Sequence, residues 1–265
     1  GVIKARLRGW RSGLAFAACL LPFAFGFILP ASVILAHALD NAERWQDPAL
    51  LSALLNTLTV AGTAAFVTVA MGLFMVYGVR LSHKRLPMLL MPITAIGYAA
   101  PGAVLGLGIL VPLATFDNFL ADTVVRFGFR DPGLIFTGTA AALVLAYVVR
   151  FFAIGQGTAD AALGRVSPSL PMAARSLGRT AGGTLKAVHL PLVKASIGSA
   201  LLLVFVDCVK ELPATLLLRP FSYDTLATRV HAKAALENIS EAAPAALMIT
   251  VVGLAAVALL ARANR

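Results

Sequence analysis

Residues 160–191 read DAALGRVSPSLPMAARSLGRTAGGTLKAVHLP. This is the longest interval without an apolar segment of membrane length, and long hydrophobic runs flank it on both sides. Arg165, Arg175, Arg179 and Lys186 make it basic. Its interior reads as short helices with punctuation: Ser169 is placed to cap a helix entered through Leu170 and Pro171, and Gly178 to close it. A second short amphipathic piece is expected from Thr180 to Val188, stopped by Leu190 and Pro191. A structured basic loop kept on one side of a membrane is expected to hold another protein.

The membrane follows from composition. Of 265 residues, 59% are hydrophobic and 13% charged, with a mean hydropathy of +0.87. Soluble domains hold roughly 45–50% apolar and about 25% charged residues. The apolar runs exceed the roughly 20 residues a spanning helix needs, and no barrel-type alternation is visible. The fold class is therefore an all-α membrane protein. A net charge of +10 points to nucleic acid in a soluble chain, but here its placement is what matters. Cys19 and Cys208 lie in different apolar segments and read as two small buried hydrophobes. The chain starts with Gly rather than Met, which reads as a piece of a longer protein. Lys4, Arg6, Arg8 and Arg11 precede an apolar run too long for a cleaved signal, so that run reads as the first span.

Six spans are expected, over residues 12–35, 51–79, 86–113, 134–152, 192–211 and 244–261. One side then carries 15 of the 22 basic residues against a single acid, Asp160; Arg150 is counted on this side. By the positive-inside rule both termini and the 160–191 loop are cytoplasmic. On the opposite face, His37–Ala49 is short and acidic, and Thr115–Gly133 includes an amphipathic piece suited to the interface. There, too, Asp224 is placed to cap a helix running to Glu237. The third span is irregular, with Pro87, Pro92, Pro101 and Pro112 interleaved with glycines. Tyr98, Pro101 and Gly102 mark a mid-membrane weak point that either serves close packing or lines a pathway.

Catalytic signatures are missing. Gly182 to Lys186 has the wrong spacing for a phosphate-binding loop, and the four histidines fall in four separate loops or ends. Neither a metal site nor hydrolysis is expected from this chain. Asp207, Lys210 and Glu211 fall at i, i+3, i+4 near the outer end of the fifth span. They either line a cavity or reach for the nearby interface. Asn56 and Thr57 read as interhelical hydrogen-bonding groups.

From Met172 the loop reads M-A-A, three residues, Gly178, nine residues, then Val188-His189-Leu190-Pro191. This resembles the EAA loop of ABC importer permeases, E-A-A-x(3)-G-x(9)-I-x-L-P, with Met172 in place of Glu and Val188 in place of Ile. Gly97–Leu110 and Val209–Thr228 resemble iron(III)-type permeases, and Leu55-Asn56-Thr57-Leu58 resembles a helix start common in the superfamily. The resemblance is to the C-terminal six-span half of such permeases. It implies a type I, MetI-like bundle forming one transmembrane permease domain over residues 1–265, its cytoplasmic coupling loop at about 153–191, in a bacterial inner membrane.

The same resemblance implies a coupling helix seated in a groove of a cytoplasmic ATPase dimer. Met172, Ala173, Ala174, Arg175, Leu177, Gly178, Arg179, Leu190 and Pro191 would serve the coupling, with Ala173, Ala174 and Leu177 as its apolar face. Tyr98, Pro101, Gly102, Asp207, Lys210 and Glu211 would line the pathway or gate. Further implied partners are a second six-span half, a periplasmic binding protein and membrane lipid, but no nucleic acid. ATP and magnesium would bind the ATPase, leaving this chain without a cofactor. Ferric iron is the expected substrate; thiamine, sulfate, polyamine or phosphonate permeases share the loop. An ion-coupled transporter relaying protons through Asp207, Lys210 and Glu211, or a scaffold without flux, are readings from other classes.

Overall fold

A computed structural model describes residues 9–40, 42–82 and 84–263. Lys4, Arg6, Arg8, His83 and Arg265 lie outside the described residues. Among the described residues, six helices are long and apolar enough to cross a membrane: Trp10–Leu39, Pro48–Ser82, Gly102–Arg126, Ala140–Gly164, Ala181–Val209 and Ile239–Arg262. No strand occurs among the described residues. They are numbered here as the first to sixth spans.

Spans two and four form the centre. Small residues bring them together: a Cβ on Gly72 would lie 2.8 Å from the backbone nitrogen of Gln156, and one on Gly155 would lie 2.9 Å from the Thr68 carbonyl. Around this crossing Val60, Ala64, Leu143, Tyr147 and Phe151 pack with Val204 and Cys208 of the fifth span. Such close approach lets dispersion hold helices that lipid tails would otherwise solvate equally well. The sixth span packs on the fifth, and the first rests against the sixth. The first span buries none of its most apolar stretch, and Cys19 on it is exposed, contrary to the expectation for that cysteine.

Several expected boundaries change: the fourth span runs on past 152 to Gly164, and others move for local reasons. The third span is not a kinked helix over 86–113. A short helix Arg85–Leu90, a 3₁₀ turn Met91–Ala95 and a helical turn Ile96–Ala99 precede a full break, where Ala100 and Pro101 are extended at ψ 136. The span proper is Gly102–Arg126, so residues 115–126, read as an interfacial piece, continue it. The fourth span starts at Ala140 because Asp117, fully buried, accepts the backbone N–H groups of Phe136 and Thr137 and holds that approach out of helix.

Pro191 does not stop a helix. A wide π turn, Leu185–His189, absorbs the proline, and one helix runs from Ala181 to Val209. On the opposite end of the bundle, the cap of Leu226–Ala234 is Thr225, whose side chain and that of Thr228 form a capping box. Asp224, expected there, pairs instead with Arg219. Asn56 donates to the Asp224 carbonyl at 3.0 Å, and Thr57 accepts the Leu226 N–H at 2.8 Å. The second span thereby anchors this rim.

Candidate functional site

The loop helix spans Ser169–Ser176. Ser169 is its first residue rather than its cap; Pro168 holds the cap position, and the Ser167 and Ser169 hydroxyls bond each other at 2.8 Å. Its end follows the expectation closely. Gly178 has φ 82, Gly178 N–H donates to the Arg175 carbonyl at 3.0 Å, and Arg179 N–H donates to the Ala174 carbonyl at 3.1 Å. That pair of bonds is a Schellman ending, which needs the left-handed conformation a glycine adopts without strain. Thr180 then caps the next helix, accepting the Gly183 N–H at 3.1 Å.

One part of the expected apolar face points the other way. Ala174 is 8% exposed and turned onto the bundle, whereas Leu177 is 84% exposed and Met172, Ala173, Arg175 and Arg179 are also open. Helical spacing accounts for this, since residues 174 and 177 cannot both face inward once the helix ends at 176. Leu190 and Pro191 lie apart from the group, beyond the π turn. Around the loop, polar contacts join the second span to the starts and ends of its neighbours, and Arg165 ties the loop itself to the fifth span. Tyr77 donates to the Ala181 carbonyl at 2.7 Å, Arg80 pairs with Asp160 at 2.7 Å, and Arg165 donates to Ser196 at 2.8 Å.

At membrane depth the structure assembles a second group. Arg150, midway along the fourth span, lies 3.0 Å from the Glu211 carboxylate, which is almost fully buried. Arg150 also donates to the Ala100 carbonyl at 3.3 Å, an acceptor freed by the break at Pro101. The other Glu211 oxygen accepts the Ala214 N–H at 3.0 Å. Gly102 makes room: a Cβ there would stand 2.7 Å from the Arg150 guanidinium and 2.9 Å from Glu211. Gln156, one and a half turns on, bonds Thr94 and donates to the Met91 carbonyl at 3.1 Å. The fourth span thus holds the broken segment through two polar side chains.

Glu211 therefore leaves the expected trio. The fifth span ends at Val209, so Asp207 and Lys210 pair at 2.8 Å while Glu211 turns inward to Arg150. Tyr98 and Pro101 are exposed and Gly102 is buried. Arg150, expected among the charges of the loop end, is instead the partner of Glu211. Its signal was present, a lone cation inside the apolar run LVLAYVVRFFAIG, because a charge at that depth needs a partner. Among the described residues no group of three or more His, Cys, Asp or Glu is placed to hold a metal.

Beside Arg219–Asp224, the opposite rim carries the ion pairs Asp47–Arg229 and Lys233–Glu241. The Asp47 carboxyl is held below its ordinary range, first by the backbone N–H of Ala49 at 2.9 Å and also by Arg229, against the opposing effect of burial.

No family model matches the chain. It is 25% identical over 217 residues to the Fe(3+)-transport system permease protein FbpB 2 of Haemophilus influenzae, covering 82% of this chain and 39% of that one. It is 29% identical over 165 residues to the ferric transport system permease protein FbpB of Actinobacillus pleuropneumoniae, covering 62% of this chain and 22% of that one. The chain thus spans well under half the length of the curated relatives it matches. Among solved structures, a chain of a bacterial alginate ABC transporter, in complex with an alginate pentasaccharide-bound periplasmic protein, superposes with a TM-score of 0.77. The identity is 15%, and the match covers 97% of this chain and 94% of that one. The MetNI methionine ABC transporter in an inward-facing conformation gives 0.57 at 16% identity, covering 82% and 96%. The fold is that of ABC importer membrane subunits, and the curated relatives are ferric-iron permeases.

Proposed function

We propose that the chain is the membrane subunit, or one six-span half, of an ATP-driven importer in a bacterial inner membrane, and that it carries ferric iron delivered by a periplasmic binding protein. The observation that carries this reading is the loop helix, with its Schellman ending at Gly178 and its packing on the start of the fifth span. A helix so seated passes displacement into that span. Leu177, Met172 and Ala173 form the face offered to the ATPase, flanked by Arg175 and Arg179. In this reading both termini and the loop lie in the cytoplasm, which the basic asymmetry supports. ATP and magnesium belong to the ATPase. The iron reading is supported by the ferric permeases among the relatives.

At membrane depth, the Arg150–Glu211 pair and the break at Ala100–Pro101 form the gate. Broken helices at this depth persist against protein or a water-lined path, and here the freed Ala100 carbonyl faces a guanidinium. Rocking of the spans separates the 96–102 segment from Arg150.

The test is uptake of labelled ferric iron into proteoliposomes that contain the whole permease, its ATPase and its binding protein, with a Leu177→Glu permease alongside. ATP-dependent uptake that is absent in the variant supports both class and loop role. ATP turnover without iron movement removes iron and leaves an importer of another small solute. Uptake driven by a proton gradient without ATP overturns the importer reading.

A further inference from the structure

Behind the loop helix lies a cleft of about 540 Å³, whose lining shares Met172 and Arg175 with the coupling face. One wall is the last part of the second span, including Val76, Tyr77 and Arg80; the others come from Met88, Met91, Leu163 and the loop helix itself. Most of this lining is apolar, and methionines give it walls that adapt to an irregular guest. Into the same cleft face three polar groups without partners. Thr184 is 1% exposed and its hydroxyl has no hydrogen-bond partner. His189 Nδ1 is buried and likewise unpartnered. Arg175 makes no ion pair among the described residues, whereas Arg80 beside it is engaged by Asp160.

Depth identifies the kind of guest. The second span runs from Pro48 to Ser82, so its middle lies near Ala65. Residues 76–81 then stand roughly 16–24 Å from that middle, where the hydrocarbon, about 15 Å on each side, gives way to headgroups. A cleft with apolar walls, two buried polar groups lacking hydrogen-bond partners and one guanidinium outside any ion pair at that level matches an anion carrying an acyl chain. Free phosphate would leave the apolar walls unfilled. We propose that this cleft binds one anionic phospholipid, its phosphate received by Arg175, Thr184 and His189 and its chain lying along Met88, Met91 and Val76. This rests on the spans crossing a bilayer and is independent of the transported substrate. Since Met172 and Arg175 reach the cleft from the loop helix, the lipid would set where that helix rests.

The experiment is native mass spectrometry of the full permease, released from nanodiscs of phosphatidylglycerol or of phosphatidylethanolamine. One phosphatidylglycerol should remain bound after stripping, with about tenfold preference over phosphatidylethanolamine, the size of one lost charge-assisted contact. Thr184→Val and Arg175→Ala should each weaken retention, while Arg179→Ala, outside the cleft, should leave it intact. Thr184→Val removes a group without a partner, so its melting temperature should not fall, and lost retention then reports the site and not misfolding. Equal retention of both lipids overturns the proposal. Displacement by inorganic phosphate alone reassigns the cleft to a soluble anion. Loss of the lipid whenever the ATPase is bound assigns the cleft to that protein.

Discussion

Arg150 and Glu211, 61 positions apart in sequence, meet at 3.0 Å inside the bundle, against Gly102 of the broken third helix. A buried pair of this kind is costly to break from one side, because the remaining charge keeps its desolvation and loses its partner. Arg150→Met and Glu211→Gln should each destabilise the permease, by about 3–5 kcal/mol. The double variant should lie well above the sum of the two. Thermal melts in detergent of all four proteins form the cycle, and additive losses would show that the two groups do not act together.

Gly102→Ala places a methyl group 2.7 Å from the Arg150 guanidinium, whereas Gly108→Ala meets nothing within 4 Å. The first should lower stability by about 1–3 kcal/mol, as overpacking does. The second should be neutral or slightly stabilising, since alanine is the better helix former. Equal effects in the two melts would place the tight spot elsewhere.

Leu177→Glu alters a side chain that touches little of its own chain. It should leave the melting temperature unchanged and weaken ATPase co-purification at least about tenfold, or roughly 1.4 kcal/mol. Ala174→Glu, by contrast, buries a charge against the bundle and should unfold the loop. Gly178→Val should also release the ATPase, since a β-branched residue does not hold φ 82. An ATPase that stays bound to all three variants would remove the coupling role of this helix.

Acid should weaken the rim opposite the loop. The Asp47 carboxyl titrates lower in the folded chain than in the unfolded one, so its contribution is fully present above its ordinary value near 4 and disappears as pH falls through the folded value. Melts from pH 6 down to pH 3 should fall less steeply for Asp47→Asn than for the parent. Parallel curves would mean that Asp47 does not titrate differently on folding.

What the sequence disclosed was governed by range. Gly178 was legible because a helix ending is decided by a few adjacent residues, and a glycine at that spacing has one common use. The six spans were legible because twenty apolar residues admit few alternatives. The direction of Ala174 and the end of the fifth span at Val209 depend on a residue or two of helical phase, and periodicity does not resolve that. Pro191 misled for a related reason: a π turn accommodates a proline that an α-helix would not, and nothing in Leu185–His189 announces the change of pitch. Arg150 was visible but assigned by charge counting, whereas its partner, Glu211, lies in a separate segment and became evident only when the chain was folded.

The π turn has a mechanical consequence. By letting Pro191 pass, it makes residues 181–209 a single continuous rod of about 43 Å, packed against spans two and four. Its near end begins three residues after Gly178, and its far tip stops two residues before Glu211. A tilt of about 10° about the near end would sweep the tip through roughly 7 Å, more than twice the length of the Arg150–Glu211 contact.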